Sequence, residues 1–161
     1  MHATLPSPLG TLYIAASDDA ILEVDFLDDD AMTPCPPASP LLRAACDQLG
    51  AYFDGRLRQF NLPLAPRGTP FQQGVWQALQ TIPHGEHRSY KDIALLIGNP
   101  AAVRAVGLAN GRNPISIIIP CHRVIGASGK LVGYGGGLER KAWLLRHEAG
   151  QELLANNPVT L

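Results

Sequence analysis

The stretch Ser89-Tyr-Lys-Asp-Ile-Ala-Leu-Leu-Ile-Gly-Asn-Pro-Ala-Ala-Val-Arg-Ala-Val-Gly-Leu-Ala-Asn110 decides how the second half of this chain folds. Ser89 can cap a short helix that runs through Ile97. Gly98-Asn99-Pro100 then makes a turn, and a second short helix follows over 101–108. Two short helices across a glycine-containing turn of three residues is the pattern of a helix-turn-helix. Helices that read bases carry Arg, Lys, Gln or Asn to hydrogen-bond base edges in the major groove. Here five of the ten residues 101–110 are Ala or Gly and one, Arg104, is charged. Such a surface cannot read sequence, but it can lie close against a shallow groove with one long cation inserted. Two packed core helices with no contact to DNA is the competing reading, and this stretch alone leaves it open.

Downstream lies Ile115-Ser-Ile-Ile-Ile-Pro-Cys-His-Arg-Val124, which reads as an apolar strand ending at a proline and a Cys-His-Arg corner. A loop with six glycines between 126 and 137 follows, then a last helix over about 138–149. The final dozen residues show no pattern and are expected to fray. Upstream, Thr69-Pro70 opens a helix with Phe71, Val75, Trp76 and Leu79 on one face, stopped near Pro83. Residues 60–67 read as a linker. Before it, Ser39-Pro40 caps a helix on which Leu41, Leu42, Ala45, Leu49, Tyr52 and Phe53 recur at helical spacing up to Gly55. The first thirty residues alternate apolar and polar between turn signals, the pattern of a three-stranded antiparallel meander. The expected fold class is α/β (α+β). Residues 1–65 form a small antiparallel sheet lobe with a helix, and residues 66–161 form a mostly helical domain holding the helix-turn-helix.

At 161 residues, with 46% hydrophobic and 17% charged residues, the chain can bury a core without staples. No apolar run approaches the length of a membrane span. Met1-His-Ala-Thr-Leu-Pro has neither the basic nor the apolar stretch of a secretory signal, so a cytoplasmic location is expected. The three cysteines, Cys35, Cys46 and Cys121, contain no Cys-x-x-Cys and lie at no metal-ligand spacing with the histidines. Neither a disulfide framework nor a structural zinc is expected. Cys46 falls in an apolar helical pattern, and Cys35 sits in a loop. Residues 1–65 hold three Arg against nine Asp and Glu, while 66–161 hold ten Lys and Arg against five. This imbalance suits a negatively charged partner for the second half, or two differently solvated faces.

Cys121 is the candidate nucleophile. A free thiol is only slightly ionised at neutral pH, and a nearby base or cation raises the thiolate fraction. His122 and Arg123 are adjacent, which points to a thiolate at the edge of a pocket. Neighbouring side chains of a strand face opposite ways, however. For His122 to act on Cys121 the backbone must turn at Pro120, or a water must bridge them. Glu148, on the last helix, is a plausible carboxylate to orient the imidazole, and Asn113 could tie the neighbouring backbone. A buried cysteine beside a surface histidine is the commoner arrangement, and the pair alone does not decide.

Together the pieces become specific. The ordered segments Gly68-Thr-Pro-Phe-Gln, Val75-Trp-Gln-Ala-Leu, Ser89-Tyr, Ile97-Gly-Asn-Pro, Arg104-Ala-Val-Gly, Asn113-Pro, Ile119-Pro-Cys-His-Arg-Val-Ile-Gly, Gly133-Tyr-Gly-Gly-Gly-Leu and Leu144-Leu-Arg-His-Glu148 strongly resemble the O6-alkylguanine–DNA alkyltransferase (methylated-DNA–protein-cysteine) family. The resemblance covers about residues 68–148. The first lobe resembles the family only in length and pattern, and the chain looks like its short, constitutive bacterial form, without a zinc-bearing N-terminal module.

The resemblance implies that Cys121 takes an alkyl group, mainly methyl, from O6 of guanine, and also from O4-methylthymine. The transfer is irreversible, so each molecule acts once, with no cofactor and no metal. It implies a relay from Glu148 through His122 and a water to Cys121. It places Tyr90 at guanine N3 as hydrogen-bond and proton donor. The Cys121 and Val124 carbonyls become acceptors for the exocyclic amine, the Gly135 N–H a donor to O6, and Tyr134 a pocket wall. Arg104 is implied to fill the stack left by a flipped nucleotide, with Ser89, Ala105 and Arg123 as further DNA contacts. The implied partner is double-stranded DNA carrying alkylated guanine, bound through the minor groove without sequence preference by a monomer. Two positions depart from some relatives. Asn110 stands in place of a methionine against the base, and Gly135 in place of a serine. The competing functions are a lesion binder that has lost the cysteine, a sequence-specific regulator, and a thiol hydrolase built on Cys121, His122 and Glu148.

Overall fold

A computed structural model describes residues 1–28, 33–126, 128–129 and 131–150. The expected fraying of the last residues lies outside this set. The chain divides into two compact units, and neither is continuous in sequence: Met1–Arg67 joins Pro114–Ile118, and Gly68–Asn113 joins the chain from Ile119 onward.

In the first unit, β1 (His2–Leu5), β2 (Leu12–Ala16) and β3 (Ile21–Phe26) form an antiparallel meander in that order. Its register sets His2 opposite Ala15 and Leu12 opposite Phe26, with a bulge at Ala15/Ala16. Leu12, Ile14 and Ala16 are buried because alternate side chains of a strand share one face. Helix α1 (Pro40–Phe53) covers all three strands. Ser39 caps it by accepting from the Leu42 N–H, proline fills its first turn, and Gly55 beyond its end has φ +77°. Its buried Leu42, Ala45, Cys46, Leu49 and Tyr52 recur at three- and four-residue steps. The outer edge of β3 is paired rather than bare. The Ile21 N–H donates to Pro63 O (2.8 Å), and the Val24 N–H donates to Pro114 O (3.0 Å). Such cover suppresses edge-to-edge association.

The run 115–119 is not the strand its composition suggests. Only Ile115 pairs, in parallel with Val24. The chain then turns tightly at Ile117, whose φ is +73°, with the Ile118 N–H donating to Ser116 O at 2.8 Å. This is a γ-turn of the positive-φ kind, rare because it is strained. A β-branched residue there costs on the order of 1–3 kcal/mol. Full burial of the Ile117 side chain offsets about 1.5–3 kcal/mol.

The second unit is built around α2 (Pro70–Leu79), α3 (Tyr90–Leu96), α4 (Val103–Gly111) and α5 (Leu138–Ala149). Thr69 and Gln72 form a capping box at the start of α2, and Ser89 and Asp92 form one at the start of α3. Helix α2 packs on α4, and the Trp76 indole N–H donates to Ala109 O at 2.9 Å in the interior. A Cβ at Gly68 would run into the Trp76 ring, so the chain enters α2 with no side chain there. Helix α4 packs on α3. It starts later than expected, without a side-chain cap, so the turn between the two helices is longer than three residues. Gly98 in that turn has φ +76°. Two short strands not foreseen from sequence, β4 (Arg88–Ser89) and β5 (Val124–Ile125), pair in parallel. They set Ser89 opposite Ile125, and so bring the start of α3 beside the Cys-His-Arg corner.

Candidate functional site

Two local devices deliver Cys121. Pro120 (φ −82°, ψ 63°) is the centre of an inverse γ-turn, with the Cys121 N–H donating to Ile119 O at 2.8 Å. Cys121–Arg123 then make a single 3-10 turn, closed by the Val124 N–H donating to Cys121 O. The backbone therefore does turn at Pro120, and the three side chains fan around a turn instead of alternating across a strand. Asn113 fixes the entry, its Nδ2 donating to Ile119 O at 2.8 Å, and its side chain also hydrogen-bonds the Cys121 sulfur.

His122 and Arg123 both lead to Glu148. His122 Nε2 lies 2.7 Å from Glu148 Oε2, and both side chains are buried. Arg123 Nε donates to Oε1 at 2.8 Å and Arg123 Nη2 to Oε2 at 3.0 Å, a two-point grip on the same carboxylate. Arg123 Nη1 donates to Ile82 O at 2.6 Å. Burial alone would raise the Glu148 pKa, but His122 and Arg123 outweigh it and hold the carboxyl far below its ordinary range. A neutral imidazole bonded to a carboxylate through Nε2 carries its proton there, which leaves Nδ1 as the basic nitrogen. His122 Nδ1 is buried and has no hydrogen-bond partner among the described residues.

Two expectations need correction. Arg123 was expected to contact DNA, but it is only 7% exposed and its donors are directed at Glu148 and Ile82. It serves as a buried counter-ion. Cys121 was expected to be ionised at a pocket edge. It is 4% exposed, and burial pushes its thiol up to about 11 against the opposing pull of Asn113 and Lys141. Arg123 and the Nε2 of His122 are engaged by Glu148, and burial keeps the resting side chain a thiol.

Lys141 was not anticipated. It lies on α5 two turns before Glu148 and is fully buried, so one helix face presents both groups. Its Nζ donates to Val132 O (2.9 Å) and Gly133 O (3.1 Å). Burial lowers its pKa to about 8, with the Cys121 sulfur pulling the other way. The Tyr90 hydroxyl donates to the same Val132 carbonyl at 2.9 Å. Burial first, then Cys121, raises the phenol pKa, which keeps it protonated. The Tyr90 ring stands beside Gly107 of α4, where an added Cβ would just touch it. Asn110 was noted only as a polar substitution. It is 3% exposed, and its Nδ2 donates to Cys121 O at 3.3 Å.

The other candidates fall in three places. Val124 is buried in β5. Tyr134 is half-buried and Gly135 exposed in the loop before α5, and a Cβ on Gly135 would lie 3.7 Å from Gly111 O of α4. Arg104 and Ala105 are exposed on α4, and Leu108, one turn beyond Arg104, is exposed with them. Ser89 is half-buried and caps α3. Among the described residues no group of three or more His, Cys, Asp or Glu could hold a metal ion. No helix of the described residues is long and apolar enough to cross a membrane.

Comparison with known proteins gives a consistent picture. Residues 70–150 match the family described as 6-O-methylguanine DNA methyltransferase, DNA binding domain, and residues 1–66 match its ribonuclease-like domain. A methylated-DNA–protein-cysteine methyltransferase of Mycolicibacterium paratuberculosis is 52% identical over 150 residues, 91% of each chain. One of Methanosarcina barkeri is 51% identical over 148 residues, 89% of this chain and 94% of that one. A Mycobacterium tuberculosis OGT crystallised in complex with DNA superposes with a TM-score of 0.84 at 53% identity, covering 92% of each chain.

Proposed function

The chain belongs to the 6-O-methylguanine DNA methyltransferase family, and from that premise we propose that it repairs DNA by moving the alkyl group of O6-alkylguanine onto Cys121. The observation that carries the assignment of the nucleophile is the buried Glu148–His122 contact of 2.7 Å. It leaves a basic nitrogen on the residue next to the thiol. In the proposed step His122 Nδ1 takes the thiol proton through a bridging water. The sulfur electron pair forms the S–C bond as the C–O6 bond breaks, and the electrons of that bond pass into the guanine ring. The leaving guanine is protonated at N3 by the Tyr90 hydroxyl, which turns from the Val132 carbonyl to donate there and recovers a proton from solvent. The thioether has no leaving group of comparable quality, so the protein is consumed. No cofactor enters, because the substrate carries its own leaving group.

A thiol pKa of about 11 makes the resting thiolate cost roughly 5 kcal/mol at neutral pH. The relay supplies that ionisation when a guanine occupies the site, and a protein that can act only once is spared side reactions between encounters. Exposed Arg104 and Ala105, on a face of α4 with Arg104 as its one charge, support contact with the minor groove without base reading, Arg104 filling the gap left by the flipped nucleotide. The proposed place of action is the cytoplasm, with the DNA.

The test is stoichiometry. Protein mixed with excess duplex holding one O6-methylguanine is expected to repair one strand per chain and then stop, at a rate indifferent to flanking sequence. Continued turnover would make it a hydrolase, and binding without repair would make it a lesion binder.

A further inference from the structure

Helix α4 is held by one side only. Val106, Ala109 and Asn110 are buried, and Ala109 O accepts from the Trp76 indole N–H. That packing turns Arg104 and Leu108 outward together, because residues four apart share a helix face. Leu108 is 68% exposed, more than any other large hydrophobic side chain among the described residues. Ala105 and Gly111, exposed beside it, are small, and a Cβ built at Gly111 would meet nothing within 4 Å. The leucine therefore stands proud of the surface. A further step of four residues reaches Arg112, the exposed C-cap residue. Among the described residues neither Arg104 nor Arg112 pairs with a carboxylate. From Ile93 to Leu138 the chain holds no Asp or Glu at all.

A leucine between two unpaired arginines fits a surface that is apolar and anionic by turns. The wall of a DNA minor groove is such a surface, since deoxyribose presents carbon and phosphates flank it whatever the sequence. We infer that Leu108 packs against deoxyribose in the minor groove, one turn beyond Arg104, and that Arg112 holds a phosphate of the groove wall. The two arginines are about 12 Å apart along the helix axis, and the minor groove is about 6 Å wide. A helix that crosses the groove with Arg104 inside it carries Arg112 past the floor to the backbone. Neither contact reads a base, so both add grip without sequence preference. This inference rests on the reading above that α4 meets the groove of alkylated DNA.

The test is single-turnover repair of an O6-methylguanine duplex over a range of protein and salt concentrations. Half-saturation reports duplex affinity, and its salt dependence counts phosphate contacts. Leu108→Ala is expected to weaken affinity about tenfold, the scale of burying part of a leucine side chain. Its salt slope should equal that of wild type, because an apolar contact releases no counterions. Leu108→Met should keep most of the affinity. Arg112→Ala is expected to weaken binding and to lower the salt slope by about 1. Alanine favours an exposed helix position, so Leu108→Ala should melt with wild type. Unchanged affinity in Leu108→Ala or an unchanged slope in Arg112→Ala overturns the inference. Equal slowing of Leu108→Ala on duplex and on a free O6-alkylguanine base does the same. So does a loss of self-association by Leu108→Ala without DNA, which would give the leucine to a second copy of the chain. Wild type that repairs no duplex would refute the proposed function, and this inference with it.

Discussion

Replacing Glu148 by glutamine removes one charge from a side chain that is 1% exposed and leaves its shape intact. The loss falls on two partners. Arg123 loses its two-point carboxylate and keeps Ile82 O as its remaining full acceptor, and His122 loses the anion that fixes its proton on Nε2. Removing one partner of a buried ion pair costs about 3–5 kcal/mol. The retained amide oxygen still accepts one hydrogen bond, which points to the low end, about 3 kcal/mol. For a chain of this length that is a fall in Tm of roughly 6–12 °C. The pH dependence carries a sign. The folded-state carboxyl is held below its unfolded value of about 4.3. Its contribution is therefore complete above that value and is lost as the pH falls through the folded-state pKa. Thermal melts of wild type and Glu148→Gln should differ by a constant amount between about pH 8 and pH 5, then converge in stronger acid. A variant melting within 2 °C of wild type (about a fifth of the expected shift) would refute the buried-pair reading, as would a gap that persists unchanged into strong acid.

The remaining predictions concern rate. Lys141→Met removes a cation that pulls the Cys121 thiol down and unties the Val132 and Gly133 carbonyls. Single-turnover transfer from a free O6-alkylguanine base should slow about tenfold at neutral pH, the equivalent of roughly one pKa unit, and its rise with pH should move to higher pH. Lys141→Arg should restore the profile in part; a rate loss with an unshifted profile would reduce Lys141 to a loop tie. Arg104→Ala should slow repair of duplex DNA at least about tenfold, the scale of one lost charged contact, and leave reaction with the free base unchanged. Equal losses on both substrates would remove Arg104 from base flipping.

The helices were legible because their signals are local. Ser39-Pro40, Thr69-Pro70 and Ser89 each announce a cap, and each caps a helix. The meander was legible for the same reason, since burial alternates throughout the five residues of β2 and over Val24–Phe26 of β3. The run 115–119 misled because five residues of that composition suit a buried strand. What composition does not show is that the chain pairs once with β3 and then turns at Ile117. Strands β4 and β5, two residues each, are too short to carry any period.

Within the site the split follows the kind of information needed. Cys121, His122 and Glu148 stand in a recognisable order along the chain. That Arg123 faces inward, that Lys141 is buried and that Asn110 grips the nucleophile's carbonyl all depend on packing, which adjacency in sequence does not report. The ionisation of the sulfur was misjudged for that reason. Its two neighbours in sequence are partners of Glu148, and burial dominates what remains.

The central claim is that one sulfur accepts the alkyl group. It is tested most directly by intact mass measurement after incubation with O6-methylguanine duplex, followed by peptide mapping. Each chain should gain the mass of one CH2, carried by the peptide containing Cys121, and Cys121→Ser should bind the duplex and gain nothing. An unchanged mass in the wild type, or a methyl group found on Cys35 or Cys46, would contradict it.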